Sequence, residues 1–320
     1  MIKTLEVESL RTYYFTGRGI VKAVDGLSFS LKKGESLGVV GESGCGKTTL
    51  GLSIIRLIPA LGKIVSGSIR LDGKDILSMD EADFKKEIRW KRISMIFQEA
   101  MNALNPVYTI GYQLSEPLIY HLGLSKKDAI KVSKDALKKV GLNERIAKRF
   151  PHELSGGMKQ RVVLAMAIIL KPEIVIADEP TTALDVIVQA EVMNLLKKLK
   201  NEFSISVILL THDLRIISEI ADRVAIMYAG EFIEFGDIDY LFYSPKHPYT
   251  QKLLASIPRL RGEKSRLECI PGMPPDLMSP PSGCRFAPRC PYSMEVCREK
   301  IPMETSINPD HSVRCWLYKN

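Results

Sequence analysis

The sequence predicts an α/β protein in layers, built on a mostly parallel sheet. Three observations predict it. LGVVGESGCGKTTL, residues 37–50, is a short apolar run, a glycine-rich turn and then helix-compatible sequence. EIVIADEP, residues 173–180, is a second apolar run and ends in two carboxylates. SVILLTH, residues 206–212, is a third and closes on a histidine. Short continuous apolar runs bounded by turn residues read as strands buried on both faces, as parallel sheets require.

The remaining composition sets limits. A chain of 320 residues buries a substantial core and has room for more than one unit. Its 45% hydrophobic and 26% charged residues are ordinary for a globular protein. The longest apolar stretch, VVLAMAIIL at 162–170, lies between Arg161 and Lys171 and falls well short of the ~20 residues that span a bilayer. MIKTLEVESL at the amino terminus has no apolar signal core, which points to the cytoplasm and leaves any membrane link to partners.

The net charge is +8, and residues 126–149 supply much of it, with nine basic against three acidic side chains. Ile130, Ala136, Leu137 and Val140 recur there at helical spacing, which leaves the lysines on the outer face. Two readings stand: a solvated amphipathic helix, or a surface held near anionic lipid headgroups. No aromatic platform accompanies the charge, so nucleic acid is not expected as a partner. Composition shifts near residue 260. The last 58 residues carry nine of eighteen prolines and five of six cysteines, which marks a loop-rich appendage.

The run at 37–50 fits GxxxxGK[ST] between a strand and a helix. Gly41, Gly44 and Gly46 let backbone N–H groups turn inward around phosphate oxygens, and the dipole of the following helix adds positive potential. Lys47 would bridge the β- and γ-phosphates, and the Thr48 hydroxyl would hold Mg²⁺. Cys45 reads as a small loop residue whose thiol is open to oxidation. At the end of the second run, Asp178 suits the metal shell and Glu179 suits polarising an attacking water, since strands deliver such groups at their carboxyl ends. Together the two stretches describe a nucleotide hydrolase.

LSGGMKQR, residues 154–161, narrows the class. A serine and two glycines ahead of a helix make an anion-binding N-terminus, and equally an ordinary capped helix start. Placed between the phosphate loop and the acidic strand, LSGGM resembles the signature of the ATP-binding subunits of ABC transporters, and the resemblance covers about the first 255 residues. It implies a P-loop NTPase (RecA-like) core with an antiparallel β subdomain ahead of it and a helical subdomain at about 99–160. It also implies a head-to-tail dimer, with ATP held between one subunit's phosphate loop and the other's Ser155, Gly156 and Gly157. The resemblance carries nucleotide contacts onto Gly41, Ser43, Gly44, Cys45, Gly46, Lys47, Thr48 and Thr49. Gln98 resembles the glutamine that senses the γ-phosphate, the metal and the transmembrane partner. Asp185 resembles the dimer-contact aspartate, and His212 the switch histidine. In RTYYFTGRG, Tyr14 lies where the family stacks adenine, with Tyr13 and Phe15 on the opposite face of a strand.

VGESGCGKTT, FQEAMNALNP, ADEPTTALDVIVQA and SPKHPYTQKLLASIP, with the cysteine tail, are similar to the ATPases of oligopeptide, dipeptide and nickel importers. The division implied is an ATPase domain over 1–255 and a Pro/Cys-rich oligopeptide-transporter-type domain over 256–320. Implied partners are a second ATPase subunit, two transmembrane permease subunits and an extracytoplasmic binding protein, on the cytoplasmic face of the membrane. Peptides are the first expectation for cargo, with nickel or oligosaccharides behind them. A soluble ATPase working on ribosomes or nucleic acid is the rival, and the presence of one phosphate loop and one signature argues against it.

Cys284, Cys290, Cys297 and Cys315 are separated by five, six and seventeen intervening residues. In a reducing compartment four such thiols read as a ligand set rather than disulfides. Zinc sites begin with a tighter pair. The family tail is associated with a [4Fe–4S] cluster, which takes four thiolates, so iron–sulfur is expected, with zinc or reduced thiols as alternatives. Cys269 reads as a spare thiol, and His311 as a substitute ligand.

Overall fold

The computed structural model describes residues 3–98, 103–182, 184–256 and 270–318. Cys269 and the EAMN stretch of the expected glutamine loop, residues 99–102, lie outside them, as does Ala183. In chain order the first elements are β1 (Lys3–Thr16), β2 (Gly19–Lys32), β3 (Ser36–Val40), α1 (Lys47–Ile54), β4 (Gly62–Leu71), β5 (Lys74–Asp75), α2 (Glu81–Glu87), β6 (Ile93–Ile96), α3 (Ile110–Leu122) and α4 (Lys126–Lys139). There follow α5 (Gly156–Ile168), β7 (Ile174–Asp178), α6 (Val186–Phe203), β8 (Ser206–Thr211), α7 (Leu214–Ile220), β9 (Arg223–Tyr228), β10 (Glu231–Asp237), α8 (Ile238–Tyr243), α9 (Pro248–Ala255), α10 (Glu295–Glu299), β11 (Thr305–Asn308) and β12 (His311–Val313). Among the described residues no helix is long and apolar enough to cross a membrane.

The chain forms two compact units. The first comprises Met1–Thr4, Leu31–Glu35 and Lys74–Leu209. Its β6 and β7 pair in parallel, from Ile93 opposite Ile174 to Ile96 opposite Ala177. Every residue of β7 is buried, which is why its sequence is apolar throughout rather than alternating. The expected helical segment is present as α3, α4 and α5. Ser125 caps α4 by accepting from the Asp128 N–H, and Ala129, Ser133, Ala136 and Leu137 form its buried face. The Ser115 and Ser133 hydroxyls meet at 3.0 Å where α3 and α4 touch. Close packing of α5 on α6 explains Gly157, since a Cβ there would stand 2.9 Å from a Val188 methyl.

The second unit comprises Leu5–Ser30, Ser36–Gly73 and Leu210–Asn320. Strands β2, β1 and β4 lie side by side, and β1 runs antiparallel to β4, as the sequence anticipated ahead of the core. A mixed sheet follows in the order β11-β12-β10-β9-β3. In it β3 and β9 are parallel, while β9, β10, β12 and β11 pair antiparallel. Ala229 and Gly230, with φ 48° and 87°, make the tight turn between β9 and β10.

The cysteine tail is loop-rich as expected, but it is integral to this unit rather than hung from it. Its β12 extends the sheet at β10, and Arg285, Phe286 and Arg289 are buried. The change of composition read at 255/256 falls within the second unit. His311 belongs to that packing. Its Nε2 lies 2.7 Å from Glu234 Oε1, and both side chains are at most 1% exposed. It is therefore committed to a buried carboxylate and not held in reserve as a ligand.

Candidate functional site

In the second unit, fully buried β3 leads through Gly41–Gly46 into α1. Gly44 and Gly46 take φ 80° and 111°, which an L side chain rarely adopts. The glycines are needed for two different reasons. A Cβ on Gly41 would strike the Met227 carbonyl oxygen and one on Gly46 the Ala23 carbonyl oxygen, so those two let the loop lie against its own chain. A Cβ on Gly44 would meet nothing within 4 Å, which leaves that part of the loop open to a ligand. Ser43, Gly44 and Thr48 are exposed, whereas Cys45, Lys47 and Thr49 are buried.

Lys47 folds over the loop, its Nζ donating to the carbonyls of Gly41 (2.8 Å) and Glu42 (3.1 Å). Those carbonyls pre-position an ammonium beside the open turn. Tyr14 reaches the same helix, its hydroxyl 3.3 Å from Thr49 Oγ1, while Tyr13 donates to Asp25 at 2.7 Å. The neighbouring tyrosines thus turn to different partners, as strand alternation predicts. Phe15 is 45% exposed. The oxidation liability expected at Cys45 is corrected: the side chain is 3% exposed and burial raises its thiol pKa, with Lys47 opposing, so little thiolate forms.

In the first unit, Asp178 ends β7 at 1% exposure. Glu179 follows with φ 45°, a left-handed position that is strained for a non-glycine residue. Its Oε2 accepts from Thr182 Oγ1 at 3.0 Å and faces Gln98 Nε2 at 3.5 Å. Ser155 is the N-cap of α5, with the Met158 N–H 3.4 Å from its hydroxyl, and both it and Gly156 are exposed. Asp185 caps α6, accepting from the N–H groups of Ile187 and Val188, and the side chains of Val186 and Ile187 are 80% and 74% exposed. His212, in the second unit, is exposed between β8 and α7. Each unit carries its own fitting donor chemistry: the second an exposed hydroxyl at a helix start and an open glycine turn, suited to phosphate, and the first a buried carboxylate at a strand end, suited to magnesium.

The thiols form a second constellation. The Cys284 N–H donates to the Cys297 carbonyl at 2.7 Å. Burial pushes the Cys284 thiol up to about 12, with the charges of Cys297, Cys315 and Cys290 adding to the rise. Cys315 is pushed up to about 11 by burial and then by Cys290 and Cys297, and Cys290 is raised by burial and by Cys297. The four share one electrostatic neighbourhood. Among the described residues, however, no group of three or more His, Cys, Asp or Glu is arranged to hold a metal. Burial favours the neutral thiol over the thiolate at Cys284, Cys290 and Cys315.

Sequence reasoning missed Glu42, Tyr249, Arg285 and Arg289, which surround the phosphate loop from within the second unit. The Tyr249 hydroxyl accepts the Glu42 N–H at 3.1 Å, and Arg289 grips the Glu42 carboxylate. The available signal was two arginines, at 285 and 289, between Cys284 and Cys290.

A buried strand, glycine turn and helix carrying a loop-facing lysine define a phosphate-loop nucleotide hydrolase. The profile described as ABC transporter matches residues 24–182, and that described as Oligopeptide/dipeptide transporter, C-terminal region, matches residues 233–297, leaving Cys315 beyond it. Among curated relatives, the oligopeptide transport ATP-binding protein AppD of Bacillus subtilis is 48% identical, over 100% of this chain and 98% of the relative. The dipeptide transport ATP-binding protein DppD of Bacillus subtilis is also 48% identical, over 99% and 95%. The oligopeptide transport ATP-binding protein OppD of Salmonella typhimurium is 46% identical, over 98% and 93%. A solved dimeric structure of the ATP-binding cassette MJ0796, in a post-hydrolysis state bound to ADP and Pi, is 31% identical with TM-score 0.65, covering 73% of this chain and 98% of that one. The chain belongs to the ATP-binding subunits of ABC transporters, in the oligopeptide/dipeptide transporter family, and its activity is ATP hydrolysis coupled to transport.

Proposed function

We propose that the chain is the motor of an importer for dipeptides or oligopeptides, bound at the cytoplasmic face of the membrane to two permease subunits that an extracytoplasmic binding protein supplies. The observation that carries the motor role is Lys47, buried yet held against an open glycine turn by two loop carbonyls. Peptide cargo is supported by the names of relatives that match the whole chain. Co-purification from solubilised membranes with two polytopic proteins, and peptide uptake lost in Lys47→Ala cells, is the expected result. Ribosome association without such partners would refute it.

Within that motor we assign roles residue by residue. Gly44, Gly46, Lys47 and their neighbours Gly41, Ser43, Cys45 and Thr49 hold the triphosphate, and Tyr14 stacks on adenine. Thr48, Asp178 and Gln98 would hold Mg²⁺, which supplies charge neutralisation when bound. Glu179 polarises the attacking water and His212 orients it; phosphoryl transfer leaves the protein mainly positioning and electrostatic work. Ser155, Gly156, Gly157 and Asp185 serve a second cassette, a reading supported by the dimeric relative bound to ADP and Pi. We assign the helical segment at about 99–160 to permease docking, and the basic face of α4 within it then favours its lipid-facing reading.

We also propose that Cys284, Cys290, Cys297 and Cys315 bind a [4Fe–4S] cluster, with zinc as the alternative. The four-cysteine pattern supports the reading, together with the influence of these thiols on one another's titration. Anaerobic purification should give about four irons per chain and a brown protein. One zinc without iron would replace the cluster, and neither metal would end the proposal.

A further inference from the structure

The tail segment CRFAPRC, residues 284–290, holds the phosphate loop directly through Arg289 and indirectly through Arg285. Arg289 Nη1 donates to Glu42 Oε2 at 2.8 Å and Nη2 to Glu42 Oε1 at 3.0 Å, a fork on both carboxylate oxygens. The guanidinium is aimed by further bonds, from Nη1 to the Tyr228 hydroxyl (3.2 Å) and from Nε to the Pro271 carbonyl (2.8 Å). The Arg289 side chain is 6% exposed and that of Glu42 24%, so the arginine is buried while the carboxylate keeps partial access to solvent. Burial works against the Arg289 charge, but its bonds to Glu42 and Tyr228 more than offset this and its pKa is raised.

The second hold lies at the other end of the loop. Arg285 donates to the Ala229 carbonyl, and the adjoining Gly230 N–H donates to the Cys45 carbonyl at 2.8 Å. Between the two arginines, Phe286 packs on Tyr228 and Tyr249 with centroids 5.3 and 5.4 Å apart. All three rings are at most 1% exposed, and Tyr249 is the ring whose hydroxyl accepts the Glu42 N–H.

Glu42 is chemically odd where it stands. A carboxylate in a loop that receives a triphosphate repels its ligand, and two like charges a few ångström apart interact strongly where water is scarce. A glycine-rich turn is also costly to order. One contact answers both problems by neutralising the carboxylate and fixing its direction. We propose that the cysteine tail is part of the nucleotide site, with Arg289 a positioning residue that neutralises Glu42 and holds the phosphate loop ready for the triphosphate. The inference rests on the reading that residues 41–48 hold phosphate.

The test is equilibrium binding of a fluorescent ATP analogue with Mg²⁺ to the full chain. Arg289→Ala should weaken affinity by about tenfold, because the Glu42 charge is released towards the ligand. Glu42→Gln added to Arg289→Ala should restore most of that loss, an outcome that a merely structural staple would not give. Unchanged affinity in Arg289→Ala, or a double variant no tighter than the single, overturns the proposal. Should Arg289→Ala fail to fold, Glu42→Asp keeps the charge but withdraws it from the fork. It should weaken binding at unchanged melting temperature, and full affinity there would equally overturn the proposal. Lys47→Ala separates the two levels: if it binds as tightly as the parent chain, the phosphate-loop reading itself has failed.

Discussion

Gln98 Nε2 stands 3.5 Å from Glu179 Oε2, and the Thr182 hydroxyl donates to that same oxygen at 3.0 Å. Two residues chosen from separate motifs thus meet at one carboxylate, which the left-handed backbone of Glu179 projects from the end of β7. A carboxylate that polarises water is an acceptor, and an amide of the same shape is a poor base. Glu179→Gln should therefore retain ATP and accumulate as a closed dimer, with turnover down by roughly 10²–10⁴. Phosphate release and size-exclusion chromatography in ATP check it; near-normal turnover would remove Glu179 from the role.

Tyr14 offers a ring whose hydroxyl is tied to Thr49 on α1, while Tyr13 is tied to Asp25. Stacking needs the ring and not the hydroxyl. Tyr14→Ala should raise KM for ATP by about threefold to tenfold, matching the ~0.5–1.5 kcal/mol typical of ring pairs, with little change in kcat. Tyr14→Phe should be close to the parent. Tyr13→Ala should instead lower the melting temperature, since Asp25 loses a bond that helps hold its pKa down against burial. If Tyr13→Ala and not Tyr14→Ala shifts KM, the stacking residue is misassigned.

The phosphate loop was legible because backbone geometry dictates glycine at fixed spacing, whatever the rest of the chain does. Even there the reason was only partly legible. Gly41 and Gly46 answer to the Met227 and Ala23 carbonyls, contacts that no local pattern records. Gly157 similarly looked like a ligand residue, and the fold gives it a second duty against Val188. Arg289 and Glu42 lie 247 positions apart, so their pairing arises only from tertiary structure. The packing of the tail was illegible for a related reason. Proline and cysteine composition marks loops, but says nothing about β12 joining β10 or about arginines running inward.

Gly46 gives a direct check on that double duty. Its φ of 111° is strained for any L residue, and an added methyl would collide with the Ala23 carbonyl oxygen. Gly46→Ala should destabilise the folded chain by about 1–3 kcal/mol as well as weaken nucleotide binding. Urea denaturation without nucleotide separates the two effects. Gly44→Ala, strained in φ but meeting nothing within 4 Å, should lose less stability. Equal stability losses in the two variants would contradict the packing account of Gly46.

His247 connects pH to the same region. It is 1% exposed, and burial lowers its pKa from 6.5 to about 4, with the Glu234 charge only partly opposing. Its Nδ1 accepts the Tyr249 N–H at 3.0 Å, which fixes a neutral ring capping the helix that carries Tyr249. Between pH 6.5 and 4 the unfolded chain takes up a proton that the folded chain refuses, so stability rises with pH across that window and is lost as pH falls. From pH 7 to pH 5 this one group should remove about 2 kcal/mol. His247→Asn keeps a capping acceptor without titrating near neutrality. Its urea midpoint should fall less between pH 7 and pH 5 than that of the parent chain. Parallel declines in the two proteins would show that His247 is not the group responsible.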